Sequence, residues 1–420
     1  MLINISTKIS NFVFCFTSII SSLRHQLHFS MNILVLNCGS SSVKFVLIEI
    51  VSRGVILKGQ IEKISTDCAV FKTTYKKNKA SQDLGQMDQA QALRFLLMDY
   101  FKVQMSQLEI NGIGHRVVHG AEYFSASCRI DQKVLDAIRS CNHLAPLHNP
   151  ANLIGIELAM ECFPGLPQVA VFDTAFHQTL PPKAYRYAVP DEWYKELGVR
   201  RYGFHGSSHR YVSAEYARAA GENPDDLQII ILHLGNGSSA TAVKNGKSVD
   251  TTMGLTPLEG FVMGTRSGDI DPGIFSFLHE TKGWSLDAIH QALNKKCGLL
   301  GLSGLSSDMQ ELEAQIDQPQ VKLALEVLCY RMAKSVLGLC AALDRLDAIV
   351  FTGGIGENSA RVRSMCANNL KVIDVELDEK LNLSNGINNN GIISKAHSTI
   401  VSVVPTNEEL MIALDTLSLI

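Results

Sequence analysis

No sign of charge dominates this 420-residue chain: 38 lysines and arginines stand against 41 acidic residues, a net charge of −3 with histidine neutral. Nucleic acid is thereby excluded as a main partner, since it needs a clustered basic excess. Anionic small molecules would have to be held by local positive groups. The ten cysteines show no C-x-x-C pair and no metal-ligand spacing, which points to reduced thiols in a cytoplasmic protein rather than a disulfide framework or zinc site. No apolar run approaches the ~18 residues that span a bilayer, so no membrane partner is expected. Low-complexity linkers and long charge runs are missing too, and domain boundaries must come from repetition. What remains, 46% hydrophobic and 19% charged residues, is the composition of a globular protein. The length suits about two to three domains.

The first thirty residues, MLINISTKIS NFVFCFTSII SSLRHQLHFS, carry one early lysine and a short apolar stretch that superficially resembles a signal peptide. No small-x-small cleavage site follows convincingly, and Met31 immediately precedes an apolar strand. Residues 1–30 are therefore expected to be an N-terminal extension, disordered or arising from a misassigned start, with a functional targeting segment as the alternative.

Beyond Met31, β-rich runs such as NILVLN, QVAVFD, QIIILHL and DAIVFTGG alternate with helical stretches such as VKLALEVLCYRMAKSVLGLCAAL. That alternation predicts an α/β protein. The segment ILVLNCGSSSVKFVLIEI at 33–50 has the same plan as IIILHLGNGSSATAVKNG at 229–246: an apolar strand, a Gly/Asn/Ser turn and a second apolar strand. One such hairpin is ordinary; two, each opening about half of the chain, suggest duplicated domains facing one another. Glycine in the turn lets backbone N–H groups approach an anion, and serine or asparagine adds neutral hydrogen bonds. A third turn, FTGGIGEN at 351–358, follows an apolar strand and precedes a helical segment, again a candidate anion site. The G-x-x-x-x-G-K-[ST] pattern is absent, so any nucleotide is bound by another architecture.

Between these turns lie GHRVVHGAEYF (114–124), LAPLHNP (144–150), VFDTAFHQTLP (171–181), RRYGFHGSSHRYV (200–212) and MGLTPLEGFVMGTRSGDIDPG (253–273). Singly each is weak, and a histidine such as His148 is more often structural than catalytic. Together they point to one composite site between domains, because loops on rigid scaffolds concentrate binding groups.

LNCGSSSVKF, GHRVVHG, LAPLHNP, FDTAFH, YGFHGSSH, HLGNGSSA, MGLTPLEGFVMGTRSGDIDP, FTGGIGEN and PTNEEL, in this order, resemble the acetate kinase family, within the superfamily that also contains sugar kinases, Hsp70 and actin. The resemblance runs from Met31 to about Ile412. It implies an α/β fold of two duplicated ribonuclease H-like (actin-like ATPase) domains with an interdomain active-site cleft. Residues 31–173 plus 409–420 would form the first domain, and 174–408 the second, nucleotide-binding and dimerising one. The implied reaction is reversible, Mg²⁺-dependent (Mn²⁺ serving as a substitute) phosphoryl transfer between ATP and acetate, giving ADP and acetyl phosphate, in a cytoplasmic homodimer. Acetate is already ionised at neutral pH, so the nucleophile needs no general base, and the difficulty is bringing two anions together.

By resemblance, Arg116 and Arg266 are the family's two site arginines, His205 its transition-state stabiliser and His148 a supporting histidine. Asp173 matches a residue often described as proton donor or acceptor. Because carboxylate attack liberates no proton, its expected task is to orient an arginine or a metal-bound water. Asn37 and Glu408 match the Mg²⁺ ligands, with helix capping as the alternative for Glu408. ATP would lie against His233, Leu234, Gly235, Asn236 and Gly237, against Gly354, Ile355, Gly356, Glu357 and Asn358, and against Asp308, Met309 and Gln310, with Lys44 near the phosphates. The family usually reads SSDFR where this chain reads SSDMQ at 306–310, and loss of a planar cation at Gln310 is expected to weaken stacking on the base or attraction to phosphate. Val118, Leu147, Phe204 and Pro257 match the pocket for the acetate methyl group. Valine at 118 favours acetate over propionate. A propionate kinase, or a non-catalytic nucleotide-dependent actin-like protein, is the alternative.

Overall fold

The computed structural model describes residues 31–420, and the expected N-terminal extension lies outside the described residues. The described residues form two sheets. The first runs in the order β5-β4-β3-β2-β1-β6-β8-β7. Its strands are β1 (Asn32–Cys38), β2 (Val43–Glu49), β3 (Gly54–Glu62), β4 (Ala69–Tyr75), β5 (Asn78–Gly85), β6 (Gly112–Val117), β7 (Cys128–Arg129) and β8 (Gln168–Phe172). β1 is central because Ile33, Leu34, Val35 and Leu36 are all buried, the run of β-branched and leucine side chains that a strand covered on both faces requires. The helix Asn149–Cys162 packs on β1 and β6, and the last helix, Glu408–Leu419, packs on β1, β6 and β8. Glycine at 114 permits that second approach, since a Cβ there would lie 2.4 Å from Thr416 Oγ1.

The second sheet, β11-β10-β9-β12-β13, is built from β9 (Gln228–Leu234), β10 (Ser238–Lys244), β11 (Lys247–Thr251), β12 (Ala348–Thr352) and β13 (Ile400–Val403). Its five strands repeat the core of the first sheet. β2 and β10 are antiparallel hairpin partners of β1 and β9, while β6 with β8, and β12 with β13, continue in parallel on the other side. The duplication read from the two hairpins is thus a duplication of sheet topology. The helix Pro319–Cys340 covers one face of this sheet. The helix Gly206–Ala220 packs on β9 and β12 but also reaches β8 and the final helix. Its N-terminus therefore stands where the two sheets meet.

Candidate active site

The first half of the site hangs from the C-terminal ends of β6 and β8. Arg116, on β6, donates from Nε to Asp173 Oδ1 at 3.0 Å and from Nη2 to Oδ2 at 2.7 Å, a fork-on-carboxylate pairing that fixes the guanidinium plane. Asp173, just past β8, is 2% exposed, and this neighbour raises the Arg116 pKa further. Glu408 opens the last helix; its Oε1 is buried without a hydrogen-bond partner, and burial lifts its pKa to about 7, against the pull of Arg116 and Lys44. Lys44 on β2 lies across the ladder from Asn37 on β1. His148 precedes the helix Asn149–Cys162, and burial together with Arg266 and Arg116 lowers its pKa. Arg116, Asp173, His148, Glu408 and Lys44 thus share one electrostatic environment.

The second half comes from β9, β10 and the 253–273 loop. Arg266 donates from Nη1 to the Pro257 carbonyl at 3.1 Å, and burial lowers its pKa. A Cβ built on Gly237 would lie 3.3 Å from Arg266 Nη1 and 3.5 Å from His205 Nε2. Glycine there lets two donors converge on one small space. His205 has φ 58°, a left-handed conformation that costs a non-glycine residue energy, at the start of the helix Gly206–Ala220. Its Nδ1 lies 2.9 Å from Ser239 Oγ, and its ring stacks on His233 at 4.4 Å. Burial and the neighbouring His233, His209, Arg116 and Arg266 push the His205 pKa well below its ordinary value. The His233 pKa is pushed down to about 4, chiefly by burial. Both imidazoles are neutral at pH 7, so they offer polar N–H groups without adding charge.

Between the halves lies a small apolar cluster. Val118 packs against buried Phe204, Met253 and Met263, and Met263 Sδ is 3.9 Å from Arg266 Nη1. Leu147 was expected here but is 57% exposed. The turn closed by His148 N–H on the Ala145 carbonyl leaves its side chain on the solvent side. Met253 and Met263 were not singled out from sequence, because buried methionines in a glycine-rich loop carry no pattern of their own.

The nucleotide candidates divide by side chain and backbone. Leu234 is 2% exposed and Met309 7%, both in the main core of the second sheet. Their side chains face inward, so what they present to a nucleotide is backbone. Asp308 caps the helix Met309–Glu313 by accepting from Gln310 N at 2.8 Å and Glu311 N, while Gln310 is exposed. The Gly235–Gly237 turn closes by Gly235 N–H on Gly237 C=O, and Asn236 O accepts from Gly264 N at 3.1 Å. In the third turn Ile355 packs against the core and Gly356 is buried. Asn358 Nδ2 donates to Gly354 O at 2.8 Å. Glu357 is a strut: Oε1 accepts from Gly353 N at 2.9 Å and Thr406 N at 3.1 Å, tying this turn to the PTNEEL segment that carries Glu408.

Further supporting residues also went unread in the sequence. Ser239 Oγ lies 2.9 Å from His205 Nδ1 and 2.8 Å from His209 Nε2, and Ser208 Oγ joins His233 Nδ1 at 2.7 Å. The spacing His205 to His209, one turn along a helix, was a usable signal for a shared face.

The model of the acetokinase family matches residues 32–414. An acetate kinase of Ectopseudomonas mendocina is 54% identical over 391 residues, covering 93% of this chain and 99% of the relative. Among solved structures, a propionate kinase from Francisella tularensis superposes with a TM-score of 0.88 at 44% identity, covering 93% of this chain and all of that one. The acetate kinase of Porphyromonas gingivalis gives 0.86 at 42% identity, covering 93% and 99%. The two duplicated sheets and their shared topology are accordingly the actin-like ATPase fold of these enzymes. The chain belongs to the acetokinase family.

Proposed function

We infer that this protein is an acetate kinase, transferring a phosphoryl group reversibly between ATP and acetate. The observation that carries this reading is the convergence of Arg116, locked by Asp173, and Arg266 beside His205, next to a small apolar cluster that includes Val118 and Phe204. Two guanidiniums offset the repulsion between a carboxylate and a phosphate, and fixed donors around the moving phosphoryl group lower the barrier without a base. Arg116 orients the carboxylate, Asp173 holds Arg116, and His205 and Arg266 face the equatorial phosphoryl oxygens. His148 supports both arginines. Val118, Phe204, Met253 and Met263 surround the methyl group, with Pro257 holding Arg266 through its carbonyl. ATP lies along the Gly235–Gly237 and Gly353–Asn358 turns, with Lys44 toward its phosphates.

The residues present fit a hard cation. Glu408 keeps a buried carboxylate oxygen unsatisfied, and Asn37 brings an amide to the end of β1. Among the described residues no three His, Cys, Asp or Glu side chains gather as a metal cluster, but Mg²⁺ retains water and needs only one or two carboxylates. Held by Asn37 and Glu408, Mg²⁺ would neutralise phosphate charge.

Residues 31–173 with the final helix form the first domain in this scheme, and the second-sheet region forms the other. Exposed Phe277, Leu286, Leu323 and Tyr330 on second-domain helices, and Trp284 between two of them, support a homodimer, which light scattering would read as twice the chain mass. No helix among the described residues is long and apolar enough to cross a membrane. The described cysteines are all free, in keeping with a cytoplasmic protein. Trapping acyl phosphate as the hydroxamate, with ATP, Mg²⁺ and acetate, tests the activity. Formation at a higher kcat/KM for acetate than for propionate is expected; a clear propionate preference would replace the substrate, and no acyl phosphate from either acid would overturn the reading.

A further inference from the structure

β1 and β6 run side by side from Ile33/Gly112 to Leu36/His115, yet both strands continue, to Cys38 and Val117. Past the last pair their ends carry polar backbone groups that need partners other than each other. The side chain of Asn152, 3% exposed on the helix Asn149–Cys162, occupies that split. Its Nδ2 donates to the Cys38 carbonyl at 2.7 Å, and its Oδ1 accepts from Val118 N at 3.1 Å. A carboxamide presents one acceptor and an N–H donor as a peptide group does.

The second sheet treats the same place differently. β9 and β12 stay paired through His233/Thr352, and the next residue, Gly353, comes so close to Leu234 that a Cβ would lie 2.7 Å from its carbonyl oxygen. One sheet closes its parallel strands with a glycine. The other holds them apart with an amide.

We propose that Asn152 is a positioning residue for phosphoryl transfer: its carboxamide stands in for a peptide group between the diverging ends of β1 and β6 and sets the distance between the Asn37 side of the cleft and the Arg116–Val118 side. The inference rests on the proposed function, because it assigns Asn37 to the cation and phosphates and Val118 to the acyl group. Cys38 follows Asn37 directly, and Val118 lies two residues beyond Arg116, so one side chain fixes both. Neighbouring contacts hold each side separately. Asn149 Oδ1 accepts from His119 N at 3.1 Å and its Nδ2 donates to His119 O at 2.9 Å. Gln89 Nε2 donates to Gly39 O at 3.3 Å and Ala151 O at 3.0 Å. Gln89 thus holds the phosphate turn without touching Val118.

The test compares full-length wild type with Asn152→Asp, which keeps the shape but loses the donor to Cys38, and Asn152→Leu, which loses both bonds. Acyl phosphate formation is followed with acetate and with propionate, each against a MgCl₂ titration at saturating ATP. In each Asn152 variant, kcat is expected to fall on the order of 10- to 100-fold, the half-saturating Mg²⁺ to rise several-fold, and the acetate-to-propionate ratio of kcat/KM to change by at least about threefold. Gln89→Met should raise the Mg²⁺ requirement alone. Where either Asn152 variant fails to fold, Asn152→Ser, whose hydroxyl can serve one partner, gives the same readouts. A merely structural asparagine would lower the active fraction while leaving both the Mg²⁺ half-saturation and the substrate ratio at wild-type values, and that outcome would sink the inference. Wild type that forms no acyl phosphate would overturn the proposed function instead, and this inference with it.

Discussion

Arg116 and Asp173 show how much one residue's role depends on its partner. The sequence placed them 57 positions apart, in GHRVVHG and FDTAFH; the structure makes them a forked ion pair at 2.7 Å with Asp173 almost wholly buried. Asp173→Asn keeps the shape but takes away the charge that holds the guanidinium plane. On the order of a 10²-fold loss in kcat/KM for acetate is expected, about 3 kcal/mol, in the hydroxamate assay; near-normal turnover would rule out an essential charge there. Met263 is buried beside Val118 and Phe204, and in the proposed site it would limit the space left for the acyl group. Met263→Ala should shift kcat/KM toward propionate by about tenfold, as one or two methylenes in an apolar pocket are worth ~1–3 kcal/mol, and an unchanged ratio would remove Met263 from the pocket wall. The sequence named Val118 and Phe204 but passed over Met263, since only three-dimensional packing distinguishes a pocket methionine from a core one.

At the scale of elements, the strand-turn-strand hairpins were legible because they combine a short buried run with turn residues whose backbone freedom has a clear use. The third turn was legible as a glycine-rich run between an apolar strand and a helical segment. FTGGIGEN forms β12 followed by the short helix Gly353–Asn358, and its first glycine has φ +77° with the Leu234 backbone against it. Gly353→Ala combines left-handed strain with a backbone clash. It should destabilise the protein by about 2 kcal/mol or more, read from the urea midpoint, and raise the KM for ATP by displacing the turn. Wild-type values for both would mean that the turn tolerates a side chain. The split between β1 and β6 had no such signature, because Asn152 looks like any polar residue in the first turns of a helix.

Across the whole molecule, buried neutral histidines tie stability to pH. His115, bonded to Gln168 at 2.8 Å in the first sheet, and His177, bonded to Ser248 Oγ and the Phe204 carbonyl, both have pKa values lowered from 6.5 to about 4 by burial. A histidine depressed on folding takes up its proton more readily in the unfolded chain. Its contribution is therefore complete above pH 6.5 and is lost as pH falls toward about 4, by up to ~1.4 kcal/mol per pH unit for each group. Urea midpoints measured from pH 7 to 4.5 should fall steeply for wild type and less steeply for His115→Gln, whose amide can still bond Gln168. Equal slopes would show that His115 does not carry this dependence.

The sequence alone determined the duplicated α/β plan and the three glycine-rich turns, because hydrophobic periodicity and turn chemistry are local properties that survive without a fold. It also sufficed for family membership, since nine motifs in order are specific as a set. Tertiary structure decided what those residues do to one another. It paired Arg116 with Asp173, brought His205 and Arg266 together beside Gly237, turned Leu147 out and Met309 in, and placed Asn152 between two strand ends. Each of these depends on distances between segments far apart in the chain, and such distances are fixed only when the sheets pack and their loops meet.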